Sequence, residues 1–118
     1  MLVVKKQIRP GVVVMEINDS IRMGPNLQEI EKEVEEVIRR DEKWIVFDLS
    51  NVTYVDSTGI GTIVRLLAKL KKAGGTLRLS GVKKMVEGVL KLTQVDKIIE
   101  IWPTAADASR DLPPAPNP

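Results

Sequence analysis

The amino-acid sequence predicts an α/β domain: a mixed central β-sheet of about four to five strands, opened by a hairpin, with helices packed on it. Three observations carry this. Two β-rich runs, Val3–Ile8 and Val12–Ile17, flank the turn signal Arg9-Pro10-Gly11. Behind them, strand-like runs alternate with segments whose apolar residues recur at helical spacing, the order that builds parallel strand pairs through right-handed crossovers. Finally, Trp44-Ile45-Val46-Phe47-Asp48-Leu49 is nearly continuously apolar, as a strand buried on both faces should be.

Taken in order, the hairpin leads into Asn18–Pro25, a loop whose proline suits the first turn of a helix. Leu27, Ile30, Val34, Val37 and Ile38 then share one helical face, with glutamates on the other. The cations Arg39-Arg40 suit the end of that helix. After the apolar strand, Val52, Tyr54 and Val55 carry the chain to Asp56-Ser57-Thr58-Gly59. A second helix follows, with Ile60, Ile63, Val64, Leu67 and Leu70 on one face and Gly74-Gly75 as its stop. Thr76–Ser80 reads as a short strand. Val82, Met85, Val86, Val89 and Leu90 make a third amphipathic helix, Ile98–Trp102 a last strand, and Pro103–Arg110 a short closing helix. Residues 1–110 form the expected domain. Asp111–Pro118, with four prolines in DLPPAPNP, is expected to be a disordered tail.

Composition removes whole classes of chemistry. The 118 residues contain no Cys and no His, which excludes thiol nucleophiles, disulfides, Ser-His triads and every zinc site that needs imidazole or thiolate. Aromatics are 3%, too few for the stacking platforms of single-strand nucleic-acid binders. No run approaches the length of a membrane span, and the apolar patch before Lys5-Lys6 is too short for a signal-peptide core. The expectation is a cytoplasmic protein that is not an enzyme, takes no cofactor or metal, and binds neither nucleic acid nor membrane.

The net charge of +2 conceals an uneven distribution. Residues 27–43 hold seven acids against four bases, whereas residues 57–97 hold nine bases against Glu87 and Asp96. Opposed patches of this kind can steer association with a charged partner, although solvated helix faces are the commoner explanation. Asp48, inside an apolar strand, is expected to tie a neighbouring loop by hydrogen bonds. Trp44 and Trp102 are expected to pack in the core or at strand ends, and Met15, Met23 and Met85 to fill gaps, with exposure at an interface the alternative for Met23 in the Asn18–Pro25 loop.

One segment carries chemistry. Asp56-Ser57-Thr58-Gly59-Ile60-Gly61 lies where a strand hands over to a helix, where Ser or Thr serves as an N-cap. Glycines at 59 and 61 let another backbone or surface approach. A phosphate on a hydroxyl there would sit beside the positive end of the helix dipole, so modification would repaint the surface without unfolding the domain. Gly59-x-Gly61 lacks the third glycine of a dinucleotide fingerprint, and no P-loop is present.

Ile45–Gly61, with its DSTG core, closely resembles the signature of STAS domains of the anti-sigma factor antagonist family. Lys71-Lys72-Ala73-Gly74-Gly75 and Leu92–Ile101 match further, and the resemblance covers roughly residues 3–110 in the same order of elements. It implies the STAS fold and a protein-binding module. Ser57 matches the serine phosphorylated by the partner anti-sigma factor, itself a serine protein kinase. Asp56 matches the acid beside it, and Thr58, Gly59 and Gly61 match the helix start that the partner contacts. The unphosphorylated antagonist would bind the anti-sigma factor, phosphorylation would end that binding, and a serine phosphatase would restore it. Any self-association is expected to be no more than a weak homodimer.

The sequence departs from the pattern in the loop after the second strand. Ile17-Asn18-Asp19-Ser20 stands where Gly-Glu-Leu/Ile-Asp is usual, which leaves Asp19 as the acid placed to meet the partner. Gln94 stands where glycine is common. A second reading of the same fold therefore remains: a constitutive scaffold or interaction subunit of a signalling or transporter assembly, not switched at Ser57.

Overall fold

The computed structural model describes residues 1–114. Along the chain run β1 (Val3–Arg9), β2 (Val12–Ile17), α1 (Pro25–Arg39), β3 (Trp44–Asp48), α2 (Ser57–Lys72), β4 (Thr76–Ser80) and α3 (Lys84–Leu92). A 3-10 turn (Val95–Lys97), β5 (Ile101–Trp102) and α4 (Ala105–Ser109) follow. The strands form one sheet in the order β1-β2-β3-β4-β5. β1 and β2 are antiparallel, paired from Val3↔Ile17 to Arg9↔Val12 with an irregularity between Gln7 and Arg9. The remaining neighbours are parallel, in the register Val13↔Ile45↔Leu77. The mixed α/β sheet with its opening hairpin is therefore as the sequence predicts.

Alternation of side chains distributes each strand between two layers. Val13, Met15, Ile45, Phe47, Leu77 and Leu79 face the main core, where α1, α2 and α3 bring Ile30, Val34, Ile63, Leu70, Val86 and Leu90 against them. Each such side chain, fully buried, stabilises the fold by about 1.5–3 kcal/mol relative to an exposed one. The opposite face carries Val12, Val14 and Val46, covered by Ala108 and Leu112, with Trp44 and Trp102 partly buried at its margins. β2 and β3 are thus covered on both faces, which explains their unbroken apolar runs. Asp48 Oδ1 accepts the Ser50 N–H at 3.0 Å, the loop tie expected of it.

Four expectations are revised. The third helix starts at Lys84, and its Met85 points to solvent instead of filling a gap, while Met23 in the loop before α1 is exposed, the alternative expected of it. The last strand is two residues long because β5 is a sheet edge paired only through Leu79↔Ile101 and Ser80↔Trp102. Of the apolar residues before it, Ile99 enters the core from the loop after the 3-10 turn, while Ile98 is exposed. The closing helix begins at Ala105, after Thr104 accepts the Asp107 N–H as its N-cap. Finally, the expected tail is ordered at its start. Leu112 is buried, the Arg9 guanidinium donates to the carbonyl oxygens of Ser109 and Leu112 at 2.7 Å, and Arg78 pairs with Asp111. Residues 115–118 of that tail lie outside the described residues.

Candidate functional site

The DSTG segment sits at the C-terminal edge of the sheet, where the chain leaves β3 for α2. Asp56 is the N-cap of α2: its backbone is extended, and Oδ1 accepts the Gly59 N–H at 2.7 Å. The capping role assigned to Ser57 or Thr58 belongs one residue earlier, because a short polar run at a helix start leaves the cap position open by one residue. Ser57 is thereby the first helical residue. It and Thr58 are exposed, whereas Gly59 is buried.

The second Asp56 oxygen reaches another element. Oδ2 accepts the Met23 N–H at 3.0 Å. Two backbone bonds reinforce that link: the Ile21 N–H donates to the Tyr54 carbonyl at 3.0 Å, and the Asp56 N–H donates to the Ile21 carbonyl at 3.2 Å. Ile21 and Val55 form an isolated parallel bridge. The loop before α1 is consequently laced to the segment before α2. The Met23 amide, then the Gly59 amide, hold the Asp56 carboxyl below the usual carboxylate range. The Thr58 amide and the Arg22 guanidinium add to this against the opposing effect of desolvation.

The two glycines serve different ends. A Cβ at position 59 would stand 2.2 Å from the Ile21 carbonyl oxygen, so the crossing of the loop demands glycine there. At Gly61 a Cβ would meet nothing within 4 Å, and the residue is exposed. Gly61 leaves an open, flat patch on the first turns of α2, beside Ser57.

Asp19, the remaining acid of the altered loop, is exposed and turned to its own backbone, with Oδ1 accepting the Ser20 N–H at 2.6 Å. What the structure lays on the DSTG segment is Ile21 to Met23, not Asp19. Reasoning from sequence missed those residues, since a lone β-branched residue in a loop gives no sign that it will bridge to a distant strand end. Asn18 lies farther back, where its side-chain carbonyl accepts from Asn51 Nδ2 at 2.7 Å.

Exposed apolar side chains gather nearby. Tyr54 (51% exposed), Met85 (73%) and Leu92 (85%) line a groove of about 300 Å³ between residues 53–55 and α3, together with Val86, Gly88 and Val89. Met23, at 71%, is a further exposed apolar side chain, on the laced loop. Isolated exposed apolar residues are ordinary, but a shared groove of them is a surface suited to contact. Among the described residues no group of three or more His, Cys, Asp and Glu is placed to hold a metal ion, and no helix is long and apolar enough to cross a membrane.

Comparison with known proteins agrees with this geometry. The chain is 32% identical over 78 residues to a Thermotoga maritima protein provisionally assigned as an anti-sigma factor antagonist, spanning 66% of this chain and 69% of that one. A crystal structure of a Thermotoga maritima protein with the same assignment superposes with a TM-score of 0.84 at 29% identity, over 93% of each chain. The unphosphorylated form of the anti-sigma factor antagonist SpoIIAA superposes with a TM-score of 0.80 at 15% identity, over 98% of this chain and 99% of that one, a likeness of fold. A family model described as the STAS domain matches residues 3–108, nearly the whole described chain, and the chain belongs to the STAS domain family.

Proposed function

We propose that the chain is an anti-sigma factor antagonist: a binding module that engages an anti-sigma factor with serine kinase activity while Ser57 is free, and lets go once Ser57 is phosphorylated. The observation that carries the reading is the setting of Ser57. It is an exposed hydroxyl on the first helical residue, fixed from behind by the Asp56 cap and bordered by the open backbone at Gly61. Asp56, Thr58, Gly59 and Gly61 build and flank the contact surface, whereas the Asp19 carboxylate is engaged by its own loop. The anti-sigma factor antagonist assignment of the Thermotoga maritima relative supports the role.

In the switching step the γ-phosphoryl group of ATP passes to Ser57 Oγ. The bond between the γ-phosphorus and the β,γ-bridging oxygen breaks, the P–Oγ bond forms, ADP leaves, and the hydroxyl proton passes to a base of the kinase. A neutral hydroxyl is cheaply buried in an interface when hydrogen-bonded, whereas the phosphate brings about −1.5 to −2 charges that must be desolvated there. A serine phosphatase would reset the module by hydrolysing the ester. This chain contributes no catalytic group to either step.

The test is incubation with ATP and soluble extract of the native host, followed by phosphosite mapping. Modification at Ser57 that is absent in Ser57→Ala supports the switch. An unmodified Ser57, in an extract whose kinase is active on another substrate, sinks it. Ser57→Asp is expected to weaken partner binding at least tenfold while moving Tm by less than about 2 °C, since the side chain is exposed at a helix N-terminus, where an acid is tolerated.

A constitutive interaction subunit is the second reading, and the self-satisfied Asp19 favours it, because that carboxylate is already engaged by its own loop. A defined large assembly in size-exclusion chromatography, unchanged by phosphorylation, would support it.

A further inference from the structure

We propose that Arg22 is the receptor for the phosphoryl group on Ser57, so that phosphorylation draws the Arg22 side chain over the start of α2. This deepens the switch at Ser57 and rests on that reading. Arg22 lies between the two residues that lace the loop to the site. The Ile21 carbonyl accepts the Asp56 N–H at 3.2 Å, and the Met23 N–H donates to Asp56 Oδ2 at 3.0 Å. Its backbone is therefore held beside Asp56, and of the two chain neighbours of Asp56 it is Ser57 that is exposed, within reach of a long arginine side chain, whereas Val55 is buried. The guanidinium is exposed and forms no ion pair among the described residues. It is also the cation that helps hold the Asp56 carboxyl below its ordinary range, after the Met23, Gly59 and Thr58 amides.

The charges around a phosphorylated Ser57 favour such a cation. The phosphate would stand beside the ionised Asp56, a like charge. The Gly59 amide, one of the free donors of the first helical turn, is already taken by Asp56 Oδ1. The next cation along α2 is Arg65, eight residues on and engaged by Glu31 at 3.0 Å. Arg22 offers a planar, forked donor matched to phosphate oxygens, on a loop whose backbone is already bound at the site. Once paired, it would cover Ser57 and withdraw its own charge from the contact surface, so a partner would lose the hydroxyl and the guanidinium together.

The experiment uses the full chain with phosphoserine installed at position 57 by genetic code expansion, and follows the second ionisation of the phosphate by ³¹P NMR against pH. Arg22→Gln is expected to raise the midpoint by about half a unit, and Arg22→Lys to preserve most of the native value, because a nearby cation favours the dianion. The difference between native chain and Arg22→Gln should shrink at high salt. A midpoint that moves by less than about a tenth of a unit in Arg22→Gln, with Tm unchanged, overturns the proposal, because a paired cation lowers a phosphate's second pKa measurably. Since the phosphate is installed rather than enzymatic, the result is independent of any kinase. An unmodified Ser57 in the extract experiment would refute the switch, whereas a flat ³¹P response would refute the Arg22 contact alone.

Discussion

At Gly59 a Cβ would lie 2.2 Å from the Ile21 carbonyl oxygen, a backbone atom fixed by its own bond from the Asp56 N–H. Gly59→Ala must therefore push the loop off the start of α2, and Tm is expected to fall by about 5–10 °C, the range for forced overpacking in a domain of this size. Gly61→Ala has open space and gains helix propensity, so Tm should rise by about 2–4 °C. A thermal melt of each separates the two roles, and equal losses in both would refute the distinction. Asp56 adds a dependence on pH. Its folded-state pKa is depressed, so the ionised side chain stabilises the fold above the ordinary value of 3.8, and that contribution is lost as pH falls through the lower folded value. Asp56→Asn keeps an oxygen for Gly59 but no charge. The Tm gap between it and the native chain should be full at pH 7 and narrow below 3.8. The existence of a special segment was legible here from DSTG itself. The identity of the cap and the partner of Gly59 were not, because both depend on a loop more than 30 residues upstream meeting the strand end in space.

The elements differ in how firmly their own sequence specifies them. α1, α2, β2 and β3 are long and periodic, or buried on both faces, and the apolar pattern locates them within a residue or two. α4 and β5 are short, and what fixes them is a buried arginine. Arg78 on β4 is 7% exposed, with its guanidinium donating to the Ala108 carbonyl at 2.8 Å, pairing with Asp111 and Glu100, and lying 5.3 Å from the Trp102 ring centroid. That one side chain gathers β5, α4 and the chain beyond α4, and holds the Asp111 carboxyl below its usual range. No local pattern announces such a tie, because a single arginine in a strand reads as a solvent-facing residue. The start of an apparent tail at Asp111 hides it further, since proline-rich composition speaks against order. Arg78→Met keeps an apolar stem over Trp102 and removes the hydrogen bonds. Amide exchange of α4 should accelerate more than tenfold while the amides of β2 and β3 keep their protection, with a fall in Tm of about 4–8 °C from the Ala108 carbonyl and partner acids left unpaired. Uniform acceleration across the sheet would mean that Arg78 supports the whole fold and not its C-terminal edge.

Across the whole molecule, the charge asymmetry along the chain is rearranged by folding. The acidic stretch does not present a bare negative face. Glu31 and Glu35 of α1 meet Arg65 and Lys69 of α2 at 3.0 and 2.9 Å, and Glu33 and Glu36 share Lys5 of β1. The two pairs between α1 and α2 are exposed and those at Lys5 half-buried; each exposed pair is worth little to stability, but together they offset the charge of α1. Within residues 57–97 the cations left without an ion pair are Lys71, Lys72, Lys83, Lys84 and Lys97, and Lys83 and Lys84 stand at the start of α3, beside the groove of Tyr54, Met85 and Leu92. A linear count of charge located the basic half but not this concentration, which exists because helix packing consumed the other bases. The unpaired lysines should set the speed of encounter with an acidic partner, while the contact at Ser57 sets how long it lasts. Lys83→Glu with Lys84→Glu is expected to slow association with the proposed anti-sigma factor about tenfold at 50 mM salt, and much less at 500 mM, where screening is short-ranged. Its dissociation rate should stay within about twofold, whereas Ser57→Asp should raise dissociation and leave association nearly unchanged. Stopped-flow kinetics of both variants over that salt range resolves the two contributions, and a lysine effect that appears in dissociation and persists at high salt would place those lysines inside the interface.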